Sequence, residues 1–498
     1  MLYTSTRNNQ VRIQSAQAIA QGISEDGGLF APAENFPVIT WEGFQALAAV
    51  DYKERAISIL SSFLTDFTAD ELAQCIRDAY TGKFDDDEVA PLVDINNYRY
   101  ILELWHGPTC AFKDVALQLL PHLLKRSVKK INDEREVVIL VATSGDTGKA
   151  ALEGFKDVPG TRIIVFYPDE GVSNIQKLQM VTQEGANVGV CAIKGNFDDA
   201  QTGVKKIFTS PEMRATLNDM GMAFSSANSI NWGRLVPQIV YYISAYADMI
   251  KTGEIDYDGE KVNIVVPTGN FGNILAAYYA YRMGLPVNKF ICASNANNVL
   301  TDFIRTGVYD RNRTFYTTIS PSMDILISSN LERLIFHLAG NDSTRVAAWM
   351  AQLSATGRYE VDGDVKAKLS ELFWAGCCDD VKTKETINKM YEADNYLCDT
   401  HTAVALAVHE QYIAETEDDK TPTIIASTAS PFKFSQSVLS SISDTISAND
   451  EFDILQELSV VSGKDIPAAL SELRGKEVRF SDTCTGETMR DTVLGFLK

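Results

Sequence analysis

Val262-Asn-Ile-Val-Val-Pro-Thr-Gly-Asn-Phe-Gly-Asn273 is the stretch that decides the fold. It opens with an apolar, β-branched run, continues through two glycines and leads into a helical pattern over 274–283. Strand, glycine turn and helix in that order form the unit of a parallel sheet covered by helices. Gly269 and Gly272 let backbone N–H groups turn inward at the start of the helix, where a phosphate can bind. The alternative is a tight turn in which the glycines serve only the backbone, and this stretch alone leaves both readings open.

The same alternation extends on both sides of this stretch. Further apolar runs occur at 137–142, 162–167, 188–193, 289–293 and 423–427. Turn residues and helical patterns follow them, so the sequence predicts an α/β chain with mostly parallel sheets. Residues 1–97 differ, because they are polar, look mostly helical and end in the acidic run Phe84-Asp-Asp-Asp-Glu88. We expect them to form a separate N-terminal domain.

Composition and charge exclude several classes of function. The chain has 498 residues, of which 45% are hydrophobic and 22% charged, so it is a globular protein too long for one core. Its net charge of -21 would repel a nucleic acid or an anionic membrane, and we expect neither as a partner. An anionic ligand would need local donors that override this field.

The cysteines, the histidines and the N-terminal residues bear on metal binding and on the compartment of the protein. The eight cysteines are scattered without paired CxxC units, and the five histidines show no metal-ligand spacing, so no metal site is predicted. The first residues lack the apolar run of a signal peptide, and no stretch approaches the roughly 18 apolar residues of a membrane span. We expect reduced thiols and a cytoplasmic location.

Leu104-Trp-His-Gly-Pro-Thr-Cys-Ala-Phe-Lys-Asp114 contains a lysine in an unusual setting. Lysines prefer solvated surfaces, but Lys113 follows a Pro-Thr turn and an aromatic residue. A desolvated lysine has a lowered pKa and becomes a nucleophile towards an aldehyde. The alternative is a surface lysine at the start of a helix over 115–130.

Thr143-Ser-Gly-Asp-Thr-Gly-Lys-Ala150 also lies between a strand and a helix. It is not a nucleotide-binding P-loop, because position 143 lacks the first glycine and Ala150 replaces the magnesium-binding hydroxyl. Small hydroxyls and N–H groups at a helix start suit a carboxylate instead.

Three further polar segments carry candidate residues. Asn228-Ser-Ile-Asn-Trp-Gly-Arg234 offers donors for a second phosphate, or else caps a helix from 235 onwards. Thr428, at the end of the last predicted strand, is either a site hydroxyl or a turn residue. His401, in Asp399-Thr-His-Thr402, lies in a polar cluster that could face a site.

Together these segments are what a fold-type-II pyridoxal-phosphate enzyme needs. Tyr3-Thr-Ser-Thr-Arg-Asn8, Gly27-Gly-Leu-Phe-Ala-Pro32, His106-Gly-Pro-Thr-Cys-Ala-Phe-Lys-Asp114 and Gly269-Asn-Phe-Gly-Asn273 closely resemble the threonine synthases. The resemblance runs over about residues 3–435. The long N-terminal layer resembles the branch found in many bacteria and fungi.

The resemblance implies a tryptophan-synthase-β-like α/β fold with two parallel-sheet domains and a mostly helical N-terminal domain. It implies domains at 1–97, at 98–235 with the cofactor lysine and the carboxylate loop, and at 236–498 with the cofactor phosphate loop and Thr428. The cofactor, pyridoxal 5′-phosphate, would lie between the second and third domains.

The resemblance also implies a role for each site residue. Lys113 would hold the cofactor as a Schiff base and act as the catalytic base, and Thr428 would face the pyridine nitrogen. The remaining cofactor-binding residues would hold the cofactor phosphate: Gly269, Asn270, Phe271, Gly272 and Asn273. The substrate carboxylate would meet Ser144, Asp146 and Thr147, and the substrate phosphate would meet Asn228, Ser229 and Arg234.

Two departures from the family pattern stand out. Ser430-Pro-Phe-Lys-Phe434 replaces the His-Pro-Ala-Lys-Phe of many relatives. Asp146 stands where many fold-type-II enzymes have an asparagine beside the cofactor's 3′-oxygen, and a carboxylate there would oppose an ionised oxygen.

The implied reaction is the conversion of O-phospho-L-homoserine and water to L-threonine and phosphate. A threonine-synthase-like phospho-lyase, a serine/threonine dehydratase and an inactive binding protein are the alternatives. The expected partner is the small-molecule substrate, and the expected state is a monomer or homodimer.

Overall fold

The computed structural model describes residues 1–143, 145–169, 172–448 and 450–498, with only the backbone described at Phe197 and Asp198. The N-terminal part combines a small antiparallel sheet, in the order β2-β1-β3, with helices. Its helices begin where the sequence places capping side chains, because Thr40, Asp51 and Thr68 each accept a backbone N–H of the following turn. The elements are β1 (Tyr3–Ser5), β2 (Asn8–Ile13), α1 (Ser15–Gln21), β3 (Phe30–Pro32), α2 (Trp41–Ala48), α3 (Tyr52–Phe63), α4 (Ala69–Tyr80) and β4 (Leu92–Asp94).

The middle of the chain alternates strands and helices, as its apolar runs predict. Its elements are β5 (Arg99–Glu103), α5 (Lys113–Lys130), β6 (Glu136–Ala142), α6 (Asp146–Phe155), β7 (Thr161–Pro168), α7 (Asn174–Val181), β8 (Val188–Ile193), α8 (Phe197–Thr209), α9 (Pro211–Asp219), β9 (Met222–Ser225) and α10 (Trp232–Leu235).

The remainder of the chain continues the pattern and ends in a helical tail. Its first elements are α11 (Pro237–Thr252), β10 (Val262–Pro267), α12 (Gly272–Arg282), β11 (Val287–Ser294), α13 (Val299–Thr306), β12 (Val308–Asp310), a 3₁₀ turn (Pro321–Met323), α14 (Leu331–Leu338), α15 (Ser343–Thr356), β13 (Arg358–Glu360), α16 (Gly363–Leu372) and β14 (Phe373–Cys377). Its last elements are α17 (Asp380–Asp394), α18 (Thr400–Thr416), β15 (Thr423–Ser427), a 3₁₀ turn (Pro431–Phe434), α19 (Ser435–Ile442), α20 (Glu451–Ser462), α21 (Ala468–Ser471), a 3₁₀ turn (Glu472–Gly475), β16 (Thr483–Cys484) and α22 (Met489–Leu497).

The long strands form two sheets. The larger has the order β14-β11-β10-β15-β5-β4, and its strands are parallel except that β4 runs antiparallel to β5. The smaller has the order β16-β8-β7-β6-β9 and is parallel throughout. Short strands β12 and β13 pair antiparallel beside the larger sheet's helices. The predicted α/β class with two parallel sheets is confirmed.

Sheet membership crosses the domain boundaries that the sequence suggests. Strands β4 and β5 precede the smaller sheet in the chain but lie in the larger one, and β16 returns from the C-terminal part to pair with β8. Strand β5 therefore brings the start of the Lys113 segment next to β15 and Thr428. The division at 1–97, 98–235 and 236–498 stays a prediction.

The apolar runs of the sequence identify part of the strands, and other elements were missed or begin at different residues. The runs at 137–142, 162–167, 188–193, 262–266, 289–293 and 423–427 correspond to β6, β7, β8, β10, β11 and β15, whereas no run was predicted for β5, β9 or β14. The sheet β1–β3 was missed, because strands of three to six residues carry little periodic signal. Helix α5 begins at Lys113 instead of residue 115, and the segment around Arg234 is already helical.

One aromatic cluster joins the N-terminal part to the rest. The ring of Trp232 is fully buried, 4.9 Å from the Tyr3 ring and 5.9 Å from the rings of Phe63 and Tyr279. Truncating a buried aromatic of this size to alanine costs about 3–5 kcal/mol. Trp232 thus fixes α10, and with it the direction in which Arg234 leaves the helix.

Candidate active site

Lys113 lies at the start of α5, directly beside the end of β15. The peptide N–H of Phe112 donates to the carbonyl of Thr428 at 2.9 Å, and Ala111 pairs with Ala429 in an isolated antiparallel bridge. These backbone contacts bring together the predicted cofactor lysine and the predicted pyridine-nitrogen threonine. Both residues are buried.

The side chain of Lys113 ends among polar groups instead of reaching solvent. Its Nζ donates to the hydroxyl of Ser322 at 3.2 Å and lies 3.6 Å from Asp146 Oδ2, and it sits 4.8 Å from the centre of the Phe112 ring. Burial lowers the pKa of the Lys113 amine; Asp146 opposes that change, and the positive charges of Lys433 and Arg234 add to it. The alternative of a surface lysine is wrong.

The carboxylate of Asp146, the first residue of α6, is paired with other side chains. Its Oδ1 lies 3.0 Å from Lys433 Nζ and accepts a hydrogen bond from Gln176 at 2.9 Å. Burial favours the neutral carboxyl, but Lys433 and Lys113 outweigh it and hold the pKa of Asp146 well below its usual range. The carboxylate is therefore ionised and paired. Lys433 also donates to the carbonyl of Thr109 at 2.7 Å, so the cluster is tied to the Lys113 segment.

The rest of the predicted carboxylate loop lies around the start of α6. Thr143 Oγ1 accepts the N–H groups of Gly145 and Gly148 at 3.0 Å, which shapes the turn from β6 into the helix. Thr147 is half-buried in the first turn of α6. Ser144 lies outside the described residues.

The glycine turn between β10 and α12 forms a concave backbone with an unpaired donor. Phe271 has a left-handed φ of 64°, its ring is buried in the core, and only its backbone is available to a ligand. Asn273 Oδ1 accepts the Tyr242 hydroxyl, whereas the buried Asn273 Nδ2 has no hydrogen-bond partner. A Cβ on Gly269 would come within 2.5 Å of the Ser322 carbonyl oxygen, so only glycine lets these segments pack. Gly272 opens α12, and Asn270 is exposed at the rim.

Arg234 provides a further buried cation whose charge acts on Lys113. Its Nη1 donates to the carbonyl of Ala227 at 2.8 Å, and burial lowers its pKa to about 10. Among the described residues no carboxylate forms an ion pair with it. Asn231 caps α10 by accepting the Gly233 N–H, so the capping alternative is correct for Asn231, and the role of this segment towards a phosphate stays a prediction.

The two other residues predicted for the substrate phosphate lie before this helix. Asn228 is exposed, and Ser229 is half-buried with its hydroxyl 3.5 Å from that of Ser329. Asn330 links both loops, because its Nδ2 contacts the carbonyls of Ser229 at 3.1 Å and of Asn270 at 3.2 Å. The structure therefore joins the 228–234 segment to the glycine turn.

Sequence reasoning missed three of the contributing residues. Lys433 was noticed only as part of a departure from the family pattern, and Ser322 and Asn330 belong to an irregular segment without a recognised motif. Their signals were weak, since short polar residues in loops are common. Over the residues that the structure describes, no group of three potential metal ligands occurs, and no helix is long and apolar enough to cross a membrane.

Local charge here opposes the charge of the whole chain. Lys113 and Lys433 share the Asp146 carboxylate, and Arg234 adds a third positive charge that acts on Lys113, in a chain of net charge -21. The cleft therefore carries the local donors that an anionic ligand requires.

Three families match the chain in consecutive segments. "Threonine synthase N terminus" matches residues 2–80, "Pyridoxal-phosphate dependent enzyme" matches residues 87–363, and "Threonine synthase, C-terminal" matches residues 402–492.

Individual relatives agree with these matches. Threonine synthase of Saccharomyces cerevisiae is 36% identical over 92% of each chain. Threonine synthase-like 1 of Homo sapiens is 40% identical over 86% of this chain, which spans 58% of that relative's length. The crystal structure of pyridoxal-phosphate-bound threonine synthase from Brucella melitensis superposes with a TM-score of 0.88, at 34% identity and with all of both chains covered.

Proposed function

The chain belongs to the threonine synthase family of pyridoxal-phosphate-dependent enzymes, and on that premise we propose that it converts O-phospho-L-homoserine and water into L-threonine and phosphate. The observation that carries the proposal is the buried Arg234, whose guanidinium has no carboxylate partner among the described residues. A buried guanidinium without a counter-charge is stabilised by an anion, and phosphate pairs with it in a bidentate manner.

The glycine turn fits the phosphate of the cofactor. A buried donor without an acceptor, such as Asn273 Nδ2, costs about 1–3 kcal/mol unless a ligand supplies the acceptor. The first turn of α12 adds backbone N–H groups that lack intrahelical partners. We assign the turn Gly269–Asn273 to the cofactor phosphate, Lys113 to the covalent link and Thr428 to the pyridine nitrogen. When bound, pyridoxal phosphate supplies an electron sink for the negative charge that develops at the substrate Cα.

Lys113 is suited to move the proton from the substrate Cα. Because burial and two neighbouring cations lower its pKa, a larger fraction of the amine is neutral near pH 7 than for an exposed lysine. After it accepts the proton on Nζ, Asp146 at 3.6 Å stabilises the ammonium. The same lysine can then release the proton at a later step.

The substrate's two anionic ends would meet different parts of the cleft. Arg234, Asn228 and Ser229 would hold the phosphate until it leaves. The start of α6, with the N–H groups of its first turn and the hydroxyl of Thr147, would receive the carboxylate. Asp146 would stabilise the lysines and not contact the substrate carboxylate, because two ionised carboxylates repel each other. Ser144 keeps its predicted role by resemblance alone.

The alternatives account less well for these residues. A serine/threonine dehydratase acts on substrates without a phosphate and would leave Arg234 buried without a partner. A phospho-lyase would use the same arginine, so its products must distinguish it from a threonine synthase. An inactive binding protein would not need the base Lys113. A monomer or homodimer in the cytoplasm remains our expectation, in keeping with eight free cysteines.

The test is product analysis with O-phospho-L-homoserine as substrate. We expect equal amounts of phosphate and threonine from the wild type and a loss of at least about 10³-fold in Lys113→Ala. Lys368→Ala is the control, since Lys368 is exposed and donates to the Leu338 carbonyl away from the cleft. Phosphate with 2-oxobutyrate and without threonine would identify a phospho-lyase and refute the proposal.

A further inference from the structure

Ser322 lies between the two groups that control the working amine. Its hydroxyl accepts the N–H of Lys113 at 3.2 Å and lies 3.5 Å from Asp146 Oδ2, to which it can donate. Its carbonyl oxygen faces the Gly269 turn, so one residue contacts both the lysine and the cofactor cradle. The 3₁₀ turn Pro321–Met323 that carries Ser322 is short and needs an external support to hold one position.

His401 provides that support from the start of α18. Its ring is buried, and Nε2 accepts the backbone N–H of Ser322 at 3.1 Å. Because a peptide N–H can only donate, Nε2 carries no proton, so the ring is neutral and its proton resides on Nδ1. Nδ1 donates to Asp399 Oδ2 at 2.7 Å.

Asp399 is itself fixed in place. It is fully buried, caps α18 and accepts the N–H groups of His401 at 2.9 Å and Thr402 at 3.0 Å. The ring of His401 packs edge-on against Phe434 at 4.8 Å, next to Lys433. The chain of contacts therefore runs from a rigid helix start through an imidazole of defined tautomer to the hydroxyl at Lys113.

We propose that Ser322 orients the Lys113 amine in the active site, and that Asp399 and His401 are positioning residues that act through Ser322. The proposal rests on the function assigned above, in which Lys113 is the working amine. A lysine side chain has four rotatable bonds, so its amine needs a directional partner to stay in a reactive geometry. Asp146 attracts the amine and Lys433 repels it, but neither charge fixes its orientation. The Ser322 hydroxyl, held in place by His401, is a directional hydrogen-bond acceptor for the amine.

Two pairs of variants separate orientation from structural support. Ser322→Ala removes the hydroxyl and Ser322→Thr keeps it. His401→Phe keeps a ring against Phe434 but removes the acceptor, whereas His401→Gln retains an acceptor at similar reach. His337→Phe is the matched control, because His337 is buried and hydrogen-bonded to Tyr279 and Asn341 but not to this cluster.

The main measurement is a pH titration of the visible absorption band of the cofactor-loaded protein, which needs no substrate. The groups facing the Lys113 nitrogen are Asp146, Lys433 and Arg234, and they are unchanged in every variant. Since Ser322 stabilises the protonated nitrogen by accepting its hydrogen, we expect Ser322→Ala and His401→Phe to move the midpoint about one pH unit lower. In the same variants we expect kcat to fall about tenfold with KM within twofold, and we expect Ser322→Thr and His401→Gln to stay near the wild type.

The possible outcomes separate the two proposals. A wild type without a visible band would refute the role of Lys113 and this inference with it. A wild-type band whose midpoint is unmoved by Ser322→Ala would overturn this inference alone, as would an equal shift in His337→Phe. If His401→Phe does not fold, Ser322→Ala decides the question, since its side chain is only half-buried and tolerates the loss of a hydroxyl.

Discussion

Lys113 and His106 lie on the same segment, yet their surroundings change their basicity in opposite directions. His106 Nδ1 lies 2.6 Å from Asp85 and Nε2 lies 2.9 Å from Glu103. Burial would lower the pKa of His106, but these two carboxylates outweigh it and raise the pKa to about 9. Lys113 shares the Asp146 carboxylate with Lys433, and its pKa is lowered.

The comparison shows that burial lowers the pKa of a base unless opposite charges within contact outweigh it, as two carboxylates do at His106 and one shared carboxylate does not at Lys113. His106 is a fixed cation that joins the acidic run at Asp85 to the Lys113 segment. Lys113 is a buried amine that can take a proton. We therefore expect substitutions of the charged groups around Lys113 and His106 to change stability, catalysis and pKa by different amounts.

Removing the shared carboxylate should have the largest effect. Asp146→Asn leaves Lys433 and Lys113 buried without a counter-charge, and breaking a buried pair in this way costs about 3–5 kcal/mol. We expect that loss in the free energy of the first unfolding transition in urea. The double variant with Lys433→Met should recover at least about 1 kcal/mol, because it removes both charges of the closer pair. A stability within about 1 kcal/mol of the wild type for Asp146→Asn would contradict the account.

Removing the unpaired cation should affect catalysis more than stability. Arg234→Ala is expected to lower kcat/KM for O-phospho-L-homoserine about 100- to 1,000-fold, or about 3–4 kcal/mol, because the substrate phosphate loses a charge-assisted contact. Steady-state kinetics measure the effect. Arg345→Ala is the control, since that arginine pairs with the exposed Asp362 and Asp364 and should change kcat/KM less than twofold. A loss below fivefold in Arg234→Ala would show that the phosphate binds elsewhere.

Removing Lys433 should raise the pKa of Lys113, because Asp146 then pairs with Lys113 alone, as carboxylates do with His106. Lys433→Met removes a repelling cation and frees the carboxylate, so the pKa of the Lys113 ammonium should rise by about one unit. The neutral amine then forms only at higher pH, and the acid limb of the kcat profile should move upwards by the same amount. A limb that stays in place, or moves to lower pH, would exclude Lys113 as the titrating base.

The smallest effect is expected at His106. Protonated His106 stabilises the fold through its two carboxylate partners. This contribution is fully present below the ordinary pKa near 6.5 and is lost as pH rises towards the raised pKa of about 9. The stability difference between wild type and His106→Gln should thus be about 1 kcal/mol at pH 6 and vanish by about pH 10. Thermal unfolding measures it. His122→Gln is the contrast, because burial lowers the pKa of His122 to about 4, so the stability of the wild type relative to this variant should rise as pH increases through about 6.5 and then stay constant.

Local patterns in the sequence predict much of this molecule, but not its charge pairs. The β-branched runs identify six strands of the two sheets, and the glycine turn at 269–273 marks the start of α12, because each depends on neighbours in sequence. The Ser322–Asp146 and Lys433–Thr109 contacts join residues that are 176 and 324 positions apart. No local signal specifies such partners, so the sequence left Asp146 as an unexplained departure from its family, whereas the structure accounts for it as the counter-ion of two lysines.

The most direct test asks which lysine carries the cofactor. Cofactor-loaded protein is reduced with sodium borohydride, digested with trypsin and analysed by mass spectrometry for the phosphopyridoxyl group. We expect the group on Lys113. Its presence on Lys433, which lies 3.0 Å from the same carboxylate, or on another lysine would contradict the account.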